Sequence, residues 1–219
     1  MPTEPARSRL RERRPAARDD LWILGLVGRA GSGKTTVARA LAEDGATVVA
    51  ADRIGHEVTD GDADVRAALT AEYGADVYRA DGTLDRARVA ARVFADRVAR
   101  ARLDRLTHPR ILERIRGRIA DLARERRGVV VIDAALLLDW GLERECDAVM
   151  AITAPEELQV RRLTRARGWT EEEARARLAA QRRDAEYGAA ADVTIVNDGT
   201  PEDLVRAARE AVARLRPDR

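Results

Sequence analysis

Cysteine occurs once in this chain, at Cys146, so no internal disulfide can form. The fold must therefore rest on a core of its own, and a reducing compartment, the cytoplasm, is the expected setting. Aromatic residues make up only 3% of the sequence, which leaves the core to Leu, Val, Ile and Ala. No apolar run approaches the ~20 residues that cross a bilayer, and the first residues lack the apolar stretch of a secretory signal. Histidine occurs only twice, and no grouping of His, Cys and carboxylates has the spacing of a structural metal site. Disulfide scaffolds, membrane-spanning chains and zinc-stapled domains are excluded together.

The scarcest informative residue is lysine. Of 40 basic residues, Lys34 is the one Lys and the rest are Arg. Such a bias reads as Arg replacing Lys wherever either serves, so the surviving Lys marks a place where a planar guanidinium does not serve and a compact ammonium does. The charge total is +2, and residues 1–20, with six Arg against four acids, account for all of it. The remainder is balanced, which argues against a nucleic-acid-binding surface despite a pI near 9.1. The first 20 residues read as a disordered basic tail.

Along the chain, LWILGLV (21–27), ATVVA (46–50), GVVVID (128–133), CDAVMAIT (146–153) and DVTIV (192–196) are short apolar runs expected to be strands. Helical patterns separate them, the signature of βαβ units and a parallel sheet. The fold class expected is α/β, a five-stranded parallel sheet with a helical insert over 53–127. In that insert Val89, Val93 and Phe94, then Ile111, Ile115, Ile119 and Leu122, recur at helical spacing and read as core, with Pro109 in the first turn of the last helix. Further on, Pro155 reads as a first-turn residue, Thr170 with Glu173 as a capping box, and Thr200-Pro201-Glu202-Asp203 as a helix start. Residues 161–187 are dense in charge, with Glu171–Arg175 and Glu173–Arg177 at pairing distance along a helix. Their composition fits a solvated helix, and their Arg cluster beside Gly168 fits a lid over phosphates. The core is then assigned to 21–52, 128–160 and 188–219, and the lid to 161–187.

Gly28-x4-Gly33-Lys34-Thr35 is a complete phosphate-loop pattern, set between an apolar strand and a helix as its mechanism requires. Gly28, Gly31 and Gly33 let the backbone of Ala30, Ser32 and their neighbours turn N–H groups inward as an anion nest, and the following helix adds its positive end. Lys34 is expected on the β- and γ-phosphates of ATP, Thr35 on Mg2+, and Thr36 beside them. Asp52, just past the second strand, reads equally as a base that receives an acceptor's proton and as the cap of a helix from Arg53. Asp133 closes VVVID, either as a Mg2+-organising carboxylate or as a strand-end turn residue. His108, before Pro109 at a helix start, reads chiefly as a cap or structural residue.

Taken in order, GLVGRAGSGKTTVA, VVAAD with RIGHEV, EYG, ADGTLDRARVAARVF, LDRLTHPRI, ALLLDWGL, EEEARARLAAQ and ADVTIVNDG resemble the dephospho-coenzyme A kinase family from about Trp22 to Leu215. The resemblance implies a P-loop NTPase core with a helical substrate-binding insert and a helical lid. It also implies transfer of the γ-phosphate of ATP to the ribose 3′-hydroxyl of dephospho-coenzyme A, with Asp52 as the base. By the same resemblance Asn197 lies near the adenine, Arg162 in the ATP site, and His108, Leu136 and Asp139 on the acceptor side. The chain departs from the family in having Ala50 two residues before Asp52, and Ala135 and Asp139 at the ends of its ALLLD segment. Ala166 stands at the family's lid Arg, which leaves Arg165 and Arg167 to carry the lid's charge. The expected partner is a small molecule, with neither nucleic acid nor membrane, and the expected state is a monomer or weak homo-oligomer. The alternatives are a kinase for another hydroxyl acceptor, a nucleotide-gated switch and an inactive ATP-binding relic. The guanine-reading form of the switch needs an Asn-Lys-x-Asp segment, which a chain with its one Lys at 34 lacks.

Overall fold

The computed structural model describes residues 21–93, 96–125 and 128–216; the tail over 1–20 and Phe94 lie outside them. The described residues form two compact units, one up to Val49 and from Leu122 onward, the other Ala50–Asp121.

The first unit is built on a sheet of five parallel strands in the order β2-β3-β1-β4-β5. These are β1 (Leu21–Val27), β2 (Thr47–Ala50), β3 (Gly128–Asp133), β4 (Ala148–Thr153) and β5 (Val193–Val196). β1 lies between β3 and β4, with Leu21 opposite Gly128, Leu26 opposite Asp133 and Leu24 opposite Ala148. That central place explains why β1 and β4 are apolar along almost their whole length, since both faces are covered. β5, at the edge, buries only Ile195.

Helices α1 (Lys34–Glu43) and α9 (Pro201–Leu215) cover one core. Leu24, Leu26, Met150, Ile152 and Ile195 from the sheet meet Val37, Leu41, Leu204 and Ala208 from the helices. Burying each of the large aliphatic side chains is worth about 1.5–3 kcal/mol, so this layer holds the sheet end that carries the loop after β1. Helices α6 (Glu156–Arg167), α7 (Glu171–Ala179) and α8 (Asp184–Ala190) follow β4. Val160 and Leu163 of α6 pack with Ala174 and Leu178 of α7, and Ala30 and Trp169 lie against them. The charged 161–187 segment thus has a small dry core of its own.

The second unit contains α2 (Ala51–Gly61), α3 (Ala63–Tyr73), α4 (Arg86–Val93) and most of α5 (Arg97–Glu125). The 78–86 loop is pinned to α2 by Arg86, which donates to both carboxylate oxygens of Asp60 (3.0 and 3.1 Å) and to Thr59 Oγ1 (3.0 Å). Leu84 N–H donates to the same Asp60 (2.9 Å). Burial pushes the Asp60 carboxyl up, but these donors outweigh it and hold it below its ordinary range.

Three local expectations are corrected. Pro109 lies inside α5, a helix of 29 residues, and not in a first turn. An interior Pro costs about 3 kcal/mol, and the buried stripe Thr107, Ile111, Ile115 and Ile119 on both sides of it outweighs that cost. Pro155 is the N-cap of α6, one place before its first turn. Glu173 does not pair with Arg177: its carboxylate closes the capping box on Thr170 (2.8 Å), and Arg177 stacks over the Trp169 ring (4.4 Å). The other expected pair is present: Arg175 lies 3.9 Å from Glu171, and it also binds Glu157 at 2.9 Å.

Candidate active site

β1 delivers the chain into the loop over 28–33, and two glycines show why no other residue fits. Gly28 has φ +143°, and an added Cβ would stand 2.1 Å from the carbonyl oxygen of Ile152 in β4. Gly33 has φ +111°, and its added Cβ would stand 2.4 Å from Asn197 Nδ2. Positive φ at both, with a backbone clash at Gly28 and a clash with the Asn197 amide at Gly33, excludes any side chain there. Ser32 is fully buried, and its Oγ has no hydrogen-bond partner among the described residues. Lys34 Nζ reaches back across the loop and donates to the carbonyls of Gly28 (2.6 Å) and Arg29 (3.2 Å). Thr35 is exposed and Thr36 half-buried in the first turn of α1.

The start of α1 is unlike every other helix start among the described residues. α3, α4, α5, α7 and α9 are capped by the side chains of Asp62, Asp85, Asp96, Thr170 and Thr200. α2, α6 and α8 have acids in the first turn: Asp52; Glu156 and Glu157; Asp184 and Glu186. α1 has neither a side-chain cap nor an acid. Its positive end is left to an external anion.

Two of the candidates brace this loop. Asn197 Nδ2 donates to Ser32 O (2.7 Å), and Arg162 donates to Gly31 O (3.2 Å) and Asn197 Oδ1 (3.3 Å). Arg165 and Arg167 lie in the last turn of α6, exposed, with no side-chain partner among the described residues. Asp133 ends β3 opposite Leu26. Leu136 is half-buried in the turn after it, and Asp139 accepts two hydrogen bonds from Arg182 (3.0 and 2.7 Å).

Asp52 and His108 belong to the second unit. Asp52 is not a cap: α2 starts at Ala51 with Ala50 as N-cap, so Asp52 sits inside the first turn. It is exposed and has no hydrogen-bond or ion-pair partner among the described residues. His108 is not at a helix start either; it lies mid-α5, with Nε2 3.4 Å from Asp104 Oδ1.

Sequence reasoning missed the groups behind the loop. Arg29 pairs with Glu156 (3.0 Å), and the Ala30 N–H donates to Gln181 Oε1 (2.8 Å). Buried Gln159 donates to Ala154 O (2.7 Å) and Asp184 Oδ2 (3.1 Å). Burial pushes the Asp184 carboxyl up, against the pull of the Arg29 charge and the Gln159 hydrogen bond. A signal for them was present. The chain has two Gln, at 159 and 181, and one Asn, at 197, and all three side-chain amides are engaged here.

This arrangement can hold a chain of phosphates at a helix start and set a lysine across it. The family model for dephospho-CoA kinase matches residues 22–203. A dephospho-CoA kinase of Corynebacterium glutamicum is 38% identical over 88% of this chain and 96% of its own length. The crystal structure of TT1252 from Thermus thermophilus superposes with a TM-score of 0.74 and 30% identity, covering 90% of this chain and 98% of that one. Dephospho-CoA kinase from Campylobacter jejuni shares the fold, with a TM-score of 0.62 at 21% identity over 91% and 98% of the two chains. The sheet order, the bare helix start behind Gly33 and these matches place the chain in the dephospho-CoA kinase family.

Proposed function

We propose that the chain transfers the γ-phosphoryl group of ATP to the ribose 3′-hydroxyl of dephospho-coenzyme A, giving coenzyme A and ADP. Membership of the family supports the acceptor and the phosphorylation. The observation that carries the ATP side is the start of α1, the one described helix with neither cap nor first-turn acid.

In this reading the backbone of Gly28, Gly31, Ser32 and Gly33 and the first turn at Thr35 and Thr36 receive the phosphates, with Arg162 and Asn197 bracing the loop; the Ala30 N–H, expected to turn inward, is instead held by Gln181. Lys34 neutralises charge on the β- and γ-phosphates. The acceptor oxygen attacks phosphorus, the bond to the β-phosphate oxygen breaks, and ADP leaves with that electron pair. Asp52 takes the hydroxyl proton. Its exposure and lack of a partner among the described residues support that role. Arg165 and Arg167 supply charge to the transferring group, and His108, Leu136 and Asp139 contribute to acceptor binding. The charge-stabilising groups carry most of the catalysis, since a loose phosphoryl transition state needs little from a base.

Mg2+ fits the residues present in a limited way. Among the described residues no group of three or more His, Cys, Asp or Glu could hold a metal, so the protein would offer only the Thr35 hydroxyl and Asp133. That is the economy expected where phosphates and water complete the shell. When bound, the ion neutralises phosphate charge. No helix among the described residues is long and apolar enough to cross a membrane. The reading takes the chain to act in the cytoplasm as a monomer or weak homo-oligomer without nucleic acid.

The test is a coupled ADP assay of the full chain with ATP and dephospho-coenzyme A, beside shikimate, gluconate and nucleosides. ADP release with dephospho-coenzyme A alone, and a product heavier by one phosphate at the ribose 3′ position, is the expected result. A higher kcat/KM on another acceptor, or no turnover with any, overturns it.

A further inference from the structure

Peptide planarity ties two of the contacts above together. The Arg29 carbonyl and the Ala30 N–H belong to one peptide unit, and in a trans peptide they point in opposite directions. On one side that carbonyl accepts from Lys34 Nζ (3.2 Å); on the other, the N–H donates to Gln181 Oε1 (2.8 Å). Ala30 N–H can only donate, so the Gln181 atom facing it is the amide oxygen. Rotating this peptide plane would break both bonds at once.

We infer that Gln181 is a positioning residue for Lys34, acting through the Arg29–Ala30 peptide. It lies two residues past the end of α7, 151 residues from Ala30, and its own N–H closes the α7 end on Leu178 O (3.1 Å). The residues on either side of Ala30 are held from α6: Arg29 by Glu156 (3.0 Å) and Gly31 O by Arg162 (3.2 Å). Three successive loop residues are thus gripped from outside by three different points of the α6–α7 hairpin. The grip from Gln181 is the one made to the backbone N–H that a phosphate nest would otherwise turn inward. Its choice of residue is also telling. In a chain with only two Gln, a neutral acceptor at this position holds an N–H without adding negative charge behind the phosphates. Asp or Glu would add that charge.

This inference rests on the loop binding ATP, and its test separates that from the choice of acceptor. Gln181→Met keeps chain length and removes the strong acceptor; Gln181→Glu keeps an acceptor. Affinity for a non-hydrolysable ATP analogue, amide exchange at Ala30, both KM values, kcat and melting temperature are measured on the full chain. Gln181→Met is expected to weaken analogue binding about three- to tenfold, the range for one lost hydrogen bond, and to speed Ala30 exchange. kcat should fall while the acceptor KM and melting temperature hold. Gln181→Glu should restore Ala30 protection. Wild-type analogue affinity and protected Ala30 in Gln181→Met overturn the inference. So does a lowered melting temperature with both substrates weakened alike, which would mark a merely structural role, and so does a wild-type chain that fails to bind the analogue. Intact analogue binding with no phosphorylation of dephospho-coenzyme A counts against the acceptor assignment alone.

Discussion

Helices α1 and α2 each begin just after a strand of the same sheet, and neither has a side-chain cap, yet their first turns differ in charge. α1 starts behind Gly33 with Lys34 and no acid. α2 starts behind Ala50 with Asp52 exposed in its first turn. At α3, α7 and α9 the chain caps its helices well: Thr170 and Thr200 each form a complete capping box, and Asp62 accepts from two first-turn N–H groups. A sequence able to write Ser, Thr or Asp at a helix start has not done so at α1, α2, α6 or α8, and of these four α1 alone also lacks a first-turn acid, where either would occupy the N–H groups that a ligand needs. The positive end of α1 is kept for an anion from outside, whereas the first turn of α2 already carries a carboxylate of the chain itself.

Lys34→Arg strikes the first of these starts. The wider guanidinium cannot repeat the two bonds to the Gly28 and Arg29 carbonyls, and turnover should fall by about 100- to 1,000-fold, as when one preorganised charge stabiliser is lost. Steady-state kinetics on a variant with unchanged melting temperature checks it, and near-normal turnover would end the argument from lysine scarcity.

Asp52→Asn strikes the second. Asn keeps the size and hydrogen bonding but cannot take a proton, so turnover should drop roughly 100-fold, the lower end for general-base catalysis, with ATP affinity and melting temperature held. Activity within about threefold of wild type would remove Asp52 from the chemistry, since general-base catalysis is worth far more.

Thr200→Ala sharpens the contrast from the other side. Losing a working cap should cost about 1 kcal/mol, seen as a melting temperature lower by about 2–4 °C, with turnover unchanged. A loss of turnover without loss of stability would blur the division between capped and uncapped starts.

The smallest effect concerns a second first-turn aspartate. Asp184, in α8, is partly buried beside Arg29, and burial raises its carboxyl above 3.8, whereas Asp52 is exposed. A raised acid is more protonated folded than unfolded, so its ionisation weighs on the folded state. Stability should decline as pH rises from 3.8 through the raised value, and Asp184→Asn should flatten that slope and leave melting at neutral pH equal or higher. Melting curves across that range check the sign, and a slope unchanged in the variant would mean that Asp184 does not titrate differently on folding.

Much of the fold was legible because its determinants are local. β1 and β3 begin and end where their apolar runs do, and the boxes at Thr170 and Thr200 form as written. The phosphate loop was legible for the same reason, its glycines and lysine lying within eight residues of each other. Other readings failed where two local rules competed. Asp52 satisfies the preference for acids in a first turn as well as that for a cap, and only the backbone at Ala50 chose between them. Pro109 reads as a helix start on its own, but the apolar stripe on both sides overrode it.

By itself, then, the sequence determined an α/β chain with a phosphate loop, the place of its one lysine and the order of its strands and helices, because each depends on neighbours a few residues apart. Tertiary structure alone decided what stands behind the loop. Gln181 reaches Ala30 across 151 residues, Asn197 reaches Ser32 across 165, and Arg182 rather than solvent meets Asp139. No periodicity or spacing carries such pairs, since they form only when the packing of α6 and α7 and the register of β5 on β4 bring distant polar groups to one backbone segment that cannot be left unsatisfied.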